Sequence, residues 1–134
     1  MKNMKIGDTY EARDTVNETN VASAVGSGLL EVYSTPCLIA LMENAASLCI
    51  APSLPEGKGS VGVHIEVDHV SATPMGMAVR AVAKISAISE NGKSVDFEVE
   101  AYDEAGLIGK GVHTRAIINN ERFMERCQRK LETA

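Results

Sequence analysis

Ser34-Thr35-Pro36-Cys37-Leu38-Ile39-Ala40-Leu41-Met42-Glu43-Asn44-Ala45-Ala46-Ser47-Leu48-Cys49-Ile50-Ala51-Pro52 decides how the rest of this chain folds. The stretch begins and ends like a helix. The Thr35 hydroxyl is suited to accept from a free N–H of the first turn. Pro36 suits the first turn, where its missing N–H costs nothing. Pro52 disfavours helical geometry at Ala51, so the helix is expected over about 35–51. Apolar side chains occupy nearly its whole circumference, which predicts a helix wrapped by other structure. One carboxylate, Glu43, stands in the middle. A buried carboxylate is costly unless paired, hydrogen-bonded or protonated, and burial raises its pKa into the range of a useful acid or base.

The flanks predict a sheet to cover that helix. Residues 9–16 read as a modest strand with one polar face, and 17–20 as a turn. Residues 21–33 mix small residues, two glycines and a few apolar ones, and read as a flap ahead of the helix. After a loop at 53–59 come four strands, at 60–71, 77–89, 94–102 and 107–118. They are separated by Ala72-Thr73-Pro74-Met75-Gly76, by a turn containing Asn91-Gly92, and by Asp103-Glu104-Ala105-Gly106. Short links between successive strands imply antiparallel pairing. Asn119-Asn120 can cap a C-terminal helix over 121–131, with Phe123, Met124, Cys127 and Leu131 at helical spacing. The order is strand, helix, then four strands, so the chain is expected to be one α+β domain over 1–134.

Composition narrows the function. The net charge of −5, with no basic run, argues against nucleic acid or an anionic membrane surface as partner. The N-terminus lacks the apolar core of a signal peptide, and the helix is short for a membrane span and carries Glu43. A soluble cytoplasmic protein is expected. Cys37, Cys49 and Cys127 have no metal or redox spacing and read as buried apolar fillers. A Cys37 thiolate favoured by the helix N-terminus is the reactive alternative.

The strand Val61-Gly62-Val63-His64-Ile65-Glu66-Val67-Asp68-His69 places Val61, Val63, Ile65, Val67 and His69 on one face by period two. That face is the helix-covered one, so His69 is the imidazole best placed beside Glu43. A β-bulge before His69 would reverse its assignment. The bland alternative is a structural Glu–His pair. Gly62 either admits a ligand close to the backbone or marks a twist of the sheet. Thr35 is either a cap or a hydroxyl in the site. His113 and Arg115 read as an ordinary exposed strand face, as do Asp96, Glu98 and Glu100. No phosphate loop, dinucleotide fingerprint, nucleophile elbow or metal-ligand spacing occurs.

Taken together, Thr35…Leu41-Met42-Glu43, Ser60-Val61-Gly62…Val67-Asp68-His69, Ala72-Thr73-Pro74-Met75-Gly76 and Ile108-Gly109-Lys110-Gly111-Val112-His113-Thr114-Arg115-Ala116 resemble the hotdog-fold acyl-CoA thioesterases, and more closely the fluoroacetyl-CoA thioesterase-like family. The similarity runs over roughly 30–125. It implies a helix wrapped by a five-stranded antiparallel sheet, with two subunits forming a homodimer. Pairing of dimers into tetramers is left open. It implies an acyl-CoA substrate bound between subunits, and hydrolysis to a carboxylate and CoA with no metal and no cofactor beyond the CoA of the substrate. By the resemblance Thr35, Glu43 and His69 form the catalytic set, Gly62 lies near the thioester and Arg115 helps hold the acyl-CoA. Glu43 would act as general base or as nucleophile through an anhydride. Residues 21–33 hold no phenylalanine, whereas the fluoroacetyl-specific members carry an aromatic gate there, so a general thioesterase is expected. An acyl-CoA-binding module without turnover, or an acyl-CoA hydratase or dehydratase, is the alternative. Thr35 and Glu43 are eight residues apart, ~12 Å of helix rise, too far to hydrogen-bond each other. They therefore act on different parts of the substrate or come from two chains.

Overall fold

A computed structural model of the protein describes residues 3–133. Strand β1 (Thr9–Thr15) is followed by a single-turn helix α1 (Ala22–Val25) and the long helix α2 (Thr35–Ile50). Then come β2 (Lys58–His69), β3 (Ala78–Ile88), β4 (Ser94–Asp103) and β5 (Leu107–Asn119), and two C-terminal helices, α3 (Asn120–Gln128) and α4 (Lys130–Thr133). The five strands form one antiparallel sheet in the order β1-β3-β4-β5-β2. The expected α+β architecture, a helix against a five-stranded sheet, is what forms.

Alternation drives the packing. In β4, Val95, Phe97, Val99 and Ala101 are fully buried against α2, while Asp96, Glu98 and Glu100 stay exposed on the far face. Ala81, Ala83 and Ile85 of β3 complete that floor. The small alanines let the helix approach, and Leu38, Met42, Ala45, Ala46 and Ile50 fill the space between.

Several expectations need correction. Helix α2 is not wrapped all round: Pro36, Ala40, Asn44 and Leu48 form an exposed strip, because a single sheet covers only one side of a helix. The segment Thr35–Ser53 has the length and apolarity to cross a membrane, yet Leu38, Leu41, Met42 and Ile50 on it belong to the core packed against the sheet. Ser34, not Thr35, is the N-cap; its Oγ accepts from the Cys37 N–H at 3.2 Å, and Thr35 is the first helical residue. The strands β2 and β3 are consecutive but do not pair. The link between them passes over the end of the sheet, where the Val70 N–H donates to the Ile108 carbonyl and Pro74 bridges to Val32, so β2 becomes the opposite edge from β1. The C-terminal helix is broken after Gln128, and its Cys127 is exposed rather than buried; Cys37 and Cys49 are half-buried. Residues 21–33 contain α1, ended by Gly26 in the left-handed region, and are tied down by a Val21–Tyr33 bridge.

Candidate active site

The edge strand β2 carries a β-bulge. Gly62 stands opposite Arg115 and His64 opposite Thr114, leaving Val63 as the extra residue. A bulge adds one residue to one strand only and so flips the alternation across it. Ile65, Val67 and His69 therefore keep the helix-facing side, as expected. The residues before the bulge are the ones that reverse: Gly62 turns toward the helix, and Val63 is 60% exposed. One irregularity brings an even-numbered glycine and an odd-numbered histidine to the same face.

Two clusters result, at two places along α2. Near its start, Thr35 Oγ1 lies 2.8 Å from His69 Nδ1. Capping by Ser34 leaves the Thr35 hydroxyl available for this contact. His69 Nε2 is buried and has no hydrogen-bond partner among the described residues. Burial holds the His69 pKa below the usual imidazole value, with the Ser71 backbone acting in the opposite direction. Both side chains line a cleft of about 380 Å3 whose far wall includes Leu29, Leu30 and Val70.

Two turns further along α2, Glu43 projects over β2. A methyl group placed on Gly62 would stand 2.6 Å from Glu43 Oε2 and 3.0 Å from His113 Cε1. The carboxylate thus occupies the space that any other residue at 62 would fill. Glu43 Oε2 is 4.0 Å from Arg115 Nη1, and its side chain is 39% exposed, so it is a partly solvated, cation-flanked carboxylate rather than one sealed in an apolar helix.

The structure overturns the exposed-face reading of His113 and Arg115, which are 1% and 7% exposed. Strand β5 presents Gly109, Gly111, His113 and Arg115 to the helix side because Phe97 of β4 pairs with His113, and the rings stack at 6.0 Å. Arg115 donates from Nε to Ser60 Oγ at 2.9 Å and from Nη2 to the Ser60 carbonyl at 3.0 Å. Its Nη1 donates to His113 Nε2 at 3.2 Å, and His113 Nδ1 in turn donates to the His64 carbonyl at 2.7 Å. Those two contacts fix His113 as the neutral tautomer with its proton on Nδ1. Burial lowers the His113 pKa most; the His64 carbonyl opposes that, Arg115 reinforces it and Glu43 opposes it. Burial also draws the Arg115 guanidinium down from its usual value, against Glu43.

All five sequence-derived site residues lie on the helix side of the β2–β5 edge. Thr35 meets His69; Glu43 meets Gly62 and Arg115. The two groups do not touch in one chain. His113, Ser60 and Ser34 are the participants that strand alternation alone did not single out. The register of the β4–β5 hairpin is the signal that finds His113, because it sets this residue opposite the inward Phe97.

Comparison with known proteins agrees with this architecture. The fluoroacetyl-CoA-specific thioesterase family model matches residues 16–121. The chain is 37% identical over 100 residues to a fluoroacetyl-CoA thioesterase from Streptantibioticus cattleyicolor, covering 75% of this chain and 70% of that protein. Among solved structures, a phenylalanine-to-alanine variant of the fluoroacetyl-CoA-specific thioesterase in complex with fluoroacetate and CoA superposes with a TM-score of 0.84 and 31% identity, over 90% of this chain and 99% of the other. A thioesterase superfamily member from Thermus thermophilus superposes with a TM-score of 0.87 and 29% identity over 100% of both chains. The chain belongs to the fluoroacetyl-CoA-specific thioesterase family and is a thioester hydrolase of the hotdog fold.

Proposed function

We propose that the protein hydrolyses a small acyl-CoA to the carboxylate and free CoA, at sites shared between two copies of the chain. The observation that carries this reading is the Thr35–His69 hydrogen bond beside an unpartnered, buried His69 Nε2 at a cleft. A neutral imidazole oriented by a hydroxyl is a proton relay awaiting a substrate. Water adds to the thioester carbon as Glu43 removes its proton. The C–S bond then breaks, and the proton reaches the sulfur through His69. Direct attack by Glu43 on the thioester carbon uses the same residues: it expels the thiolate, which takes its proton from His69, and leaves a mixed anhydride that water opens, with solvent oxygen entering the Glu43 side chain when water adds at the Glu43 carboxyl carbon. Backbone N–H groups at the bulge, where the Val63 peptide falls outside the ladder, are suited to hold the oxyanion. Arg115, with its donors on Ser60 and His113, acts on the substrate through Glu43, as a positioning residue.

A second copy is supported by two surfaces. Strand β2 is an edge with one side of its backbone unpaired, and the Ala40, Asn44 and Leu48 strip of α2 is uncovered. An isologous dimer across the β2 edge would let Thr35 and His69 of one chain face Glu43 of the other. The absence of phenylalanine from 21–33, where Leu29 and Leu30 are exposed instead, favours small acyl groups in general over the fluorinated one alone.

The test is release of free thiol from acetyl-CoA. Glu43→Gln and His69→Gln should each lower kcat by about 10²- to 10⁴-fold. Mixing the two inactive variants then discriminates the architecture. A site assembled from two chains regains one intact site per mixed dimer, about a quarter of wild-type activity for random pairing. A site held in one chain regains none. Wild-type turnover in both single variants would refute the catalytic assignment.

A further inference from the structure

Arg115 is buried without being cancelled. It is 7% exposed, and a buried cation is costly unless something pairs with it. Its hydrogen-bond partners among the described residues are the Ser60 hydroxyl, the Ser60 carbonyl and His113 Nε2, all of them neutral. The one carboxylate near it among those residues is Glu43, whose Oε2 stands 4.0 Å from Nη1, beyond hydrogen-bond reach. Ser60 holds the Nε–Nη2 edge of the guanidinium fork, and a fork held on one edge can still tilt. His113 holds the remaining nitrogen, Nη1, which is the one that faces Glu43. The His113 ring is itself fixed. Its Nδ1 donates to the His64 carbonyl at 2.7 Å, and its face stacks on Phe97 with 27° between the planes. Glu43 Oε2, His113 Cε1 and Arg115 Nη1 all lie within 3.5 Å of the point where a methyl on Gly62 would stand, so these groups enclose one small space over β2.

We propose that His113 is a positioning residue for the hydrolysis: as a neutral acceptor it aims the uncancelled Arg115 guanidinium at Glu43. The assignment rests on Glu43 as the base or nucleophile of the hydrolase reading and deepens it. Neutrality is the point of using an imidazole here. A carboxylate at 113 would hold Nη1 as firmly, but it would cancel the guanidinium charge and repel Glu43. An imidazolium has no lone pair with which to accept. Burial above all, with Arg115 in addition, disfavours the charged ring, against the His64 carbonyl and Glu43. Glu43 is part-exposed on a flexible side chain, so a fixed cation beside it limits where its carboxylate can sit. That placement over Gly62 is what the reaction draws on.

Two substitutions in the full-length protein each keep one half of the imidazole. His113→Asn keeps a donor near Nδ1 for the His64 carbonyl and loses the acceptor for Arg115. His113→Gln keeps an acceptor at the reach of Nε2 and loses the donor. On acetyl-CoA, the Asn variant should lose about 10- to 100-fold in kcat with KM within about twofold, whereas Gln, the conservative replacement, should recover kcat to within about threefold of the wild type. Calorimetric melting should place the two variants within about 4 °C of each other. Nitrogen NMR of the wild-type ring should show the neutral tautomer with its proton on Nδ1, and the Arg115 Nη signals should be resolved in the wild type and the Gln variant and averaged by rotation in the Asn variant. A kcat in the Asn variant no lower than in the Gln variant, an Asn loss that falls on KM or follows a lower melting temperature, or a wild-type ring that is charged or protonated on Nε2 would overturn the proposal. The same contrast in the Arg115 signals, found in a protein that releases no thiol from acyl-CoA, would uphold the clamp and overturn the hydrolase reading.

Discussion

Gly62→Ala tests the site more sharply than removing a catalytic group, because it should leave the fold intact and displace one carboxylate. The new methyl would lie 2.6 Å from Glu43 Oε2 and 3.0 Å from His113 Cε1. An ordinary contact requires the carboxylate to retreat by about 0.8 Å. Glu43 reaches Gly62 with the far end of a flexible side chain that is already part-exposed, so the retreat is a rotation and not an unfolding. Position 62 is not among the glycines with positive φ, so alanine meets no backbone strain. Removing glycine from the unfolded ensemble works in favour of stability by about 0.4–1 kcal/mol, which offsets the crowding at His113. Catalysis has no such compensation. A misplacement near 1 Å costs about 10²-fold in rate, or about 2.7 kcal/mol of barrier. The expected protein melts within a few degrees of the wild type and releases thiol about 100-fold more slowly, the loss falling on kcat. Calorimetric melting paired with thiol-trapping kinetics on acetyl-CoA reads both quantities. Wild-type kcat in a normally folded Gly62→Ala protein would mean that the position of Glu43 over β2 does not matter to the reaction.

Two further outcomes follow from the same contacts. Ser34→Ala removes the acceptor for the Cys37 N–H at the head of α2 and should cost about 1 kcal/mol, seen as a fall in Tm of about 4 °C. An unchanged Tm would transfer the cap to another group. Stability should also fall with acid, starting near pH 6.5. His69 and His113 both have pKa values lowered from 6.5, chiefly by burial. The unfolded chain takes up their protons as the pH drops through 6.5 while the folded chain resists, so the unfolded state is favoured progressively below that point and not above it. Denaturant midpoints that do not differ between pH 7.5 and pH 5.5 would contradict the buried, neutral state of both rings.

Much of this fold is legible in the sequence because its signals are local. The alternation of Val95, Phe97, Val99 and Ala101 against Asp96, Glu98 and Glu100 fixes the inward face of β4, and Pro36 with Pro52 brackets α2 within a residue or two. What escapes is non-local. Period two cannot reveal the extra residue at Val63, because the bulge is defined by what stands opposite on β5. The burial of His113 and Arg115 is set by pairing with β4, so the strand looks polar while its polar groups satisfy one another. The edge position of β2 depends on a crossing of the sheet end that resembles an ordinary turn. The cap moved by one residue, from Thr35 to Ser34, because either hydroxyl suits the task and only the position of His69 decides which is needed elsewhere.

That one-residue shift and the one-residue bulge act together. Without Ser34 as cap, the Thr35 hydroxyl would be drawn to the backbone and His69 would lose the group that orients its ring. Without the extra residue at Val63, Gly62 and His69 would face opposite sides of the sheet, and no helix on one face could serve both. With both in place, one chain carries an oriented imidazole beside Thr35 at the start of α2 and a guanidinium-flanked carboxylate two turns further along, and the regular rise of the helix sets Thr35 and Glu43 ~12 Å apart. In the proposed dimer, a two-fold axis across the β2 edge would run the two helices in opposite senses and bring the imidazole of each chain toward the carboxylate of the other. If the site is shared by two chains as proposed, the separation of Thr35 and Glu43 along one helix is what requires the second chain, and a change that lengthens or kinks α2 between them should abolish turnover without preventing association of the two copies.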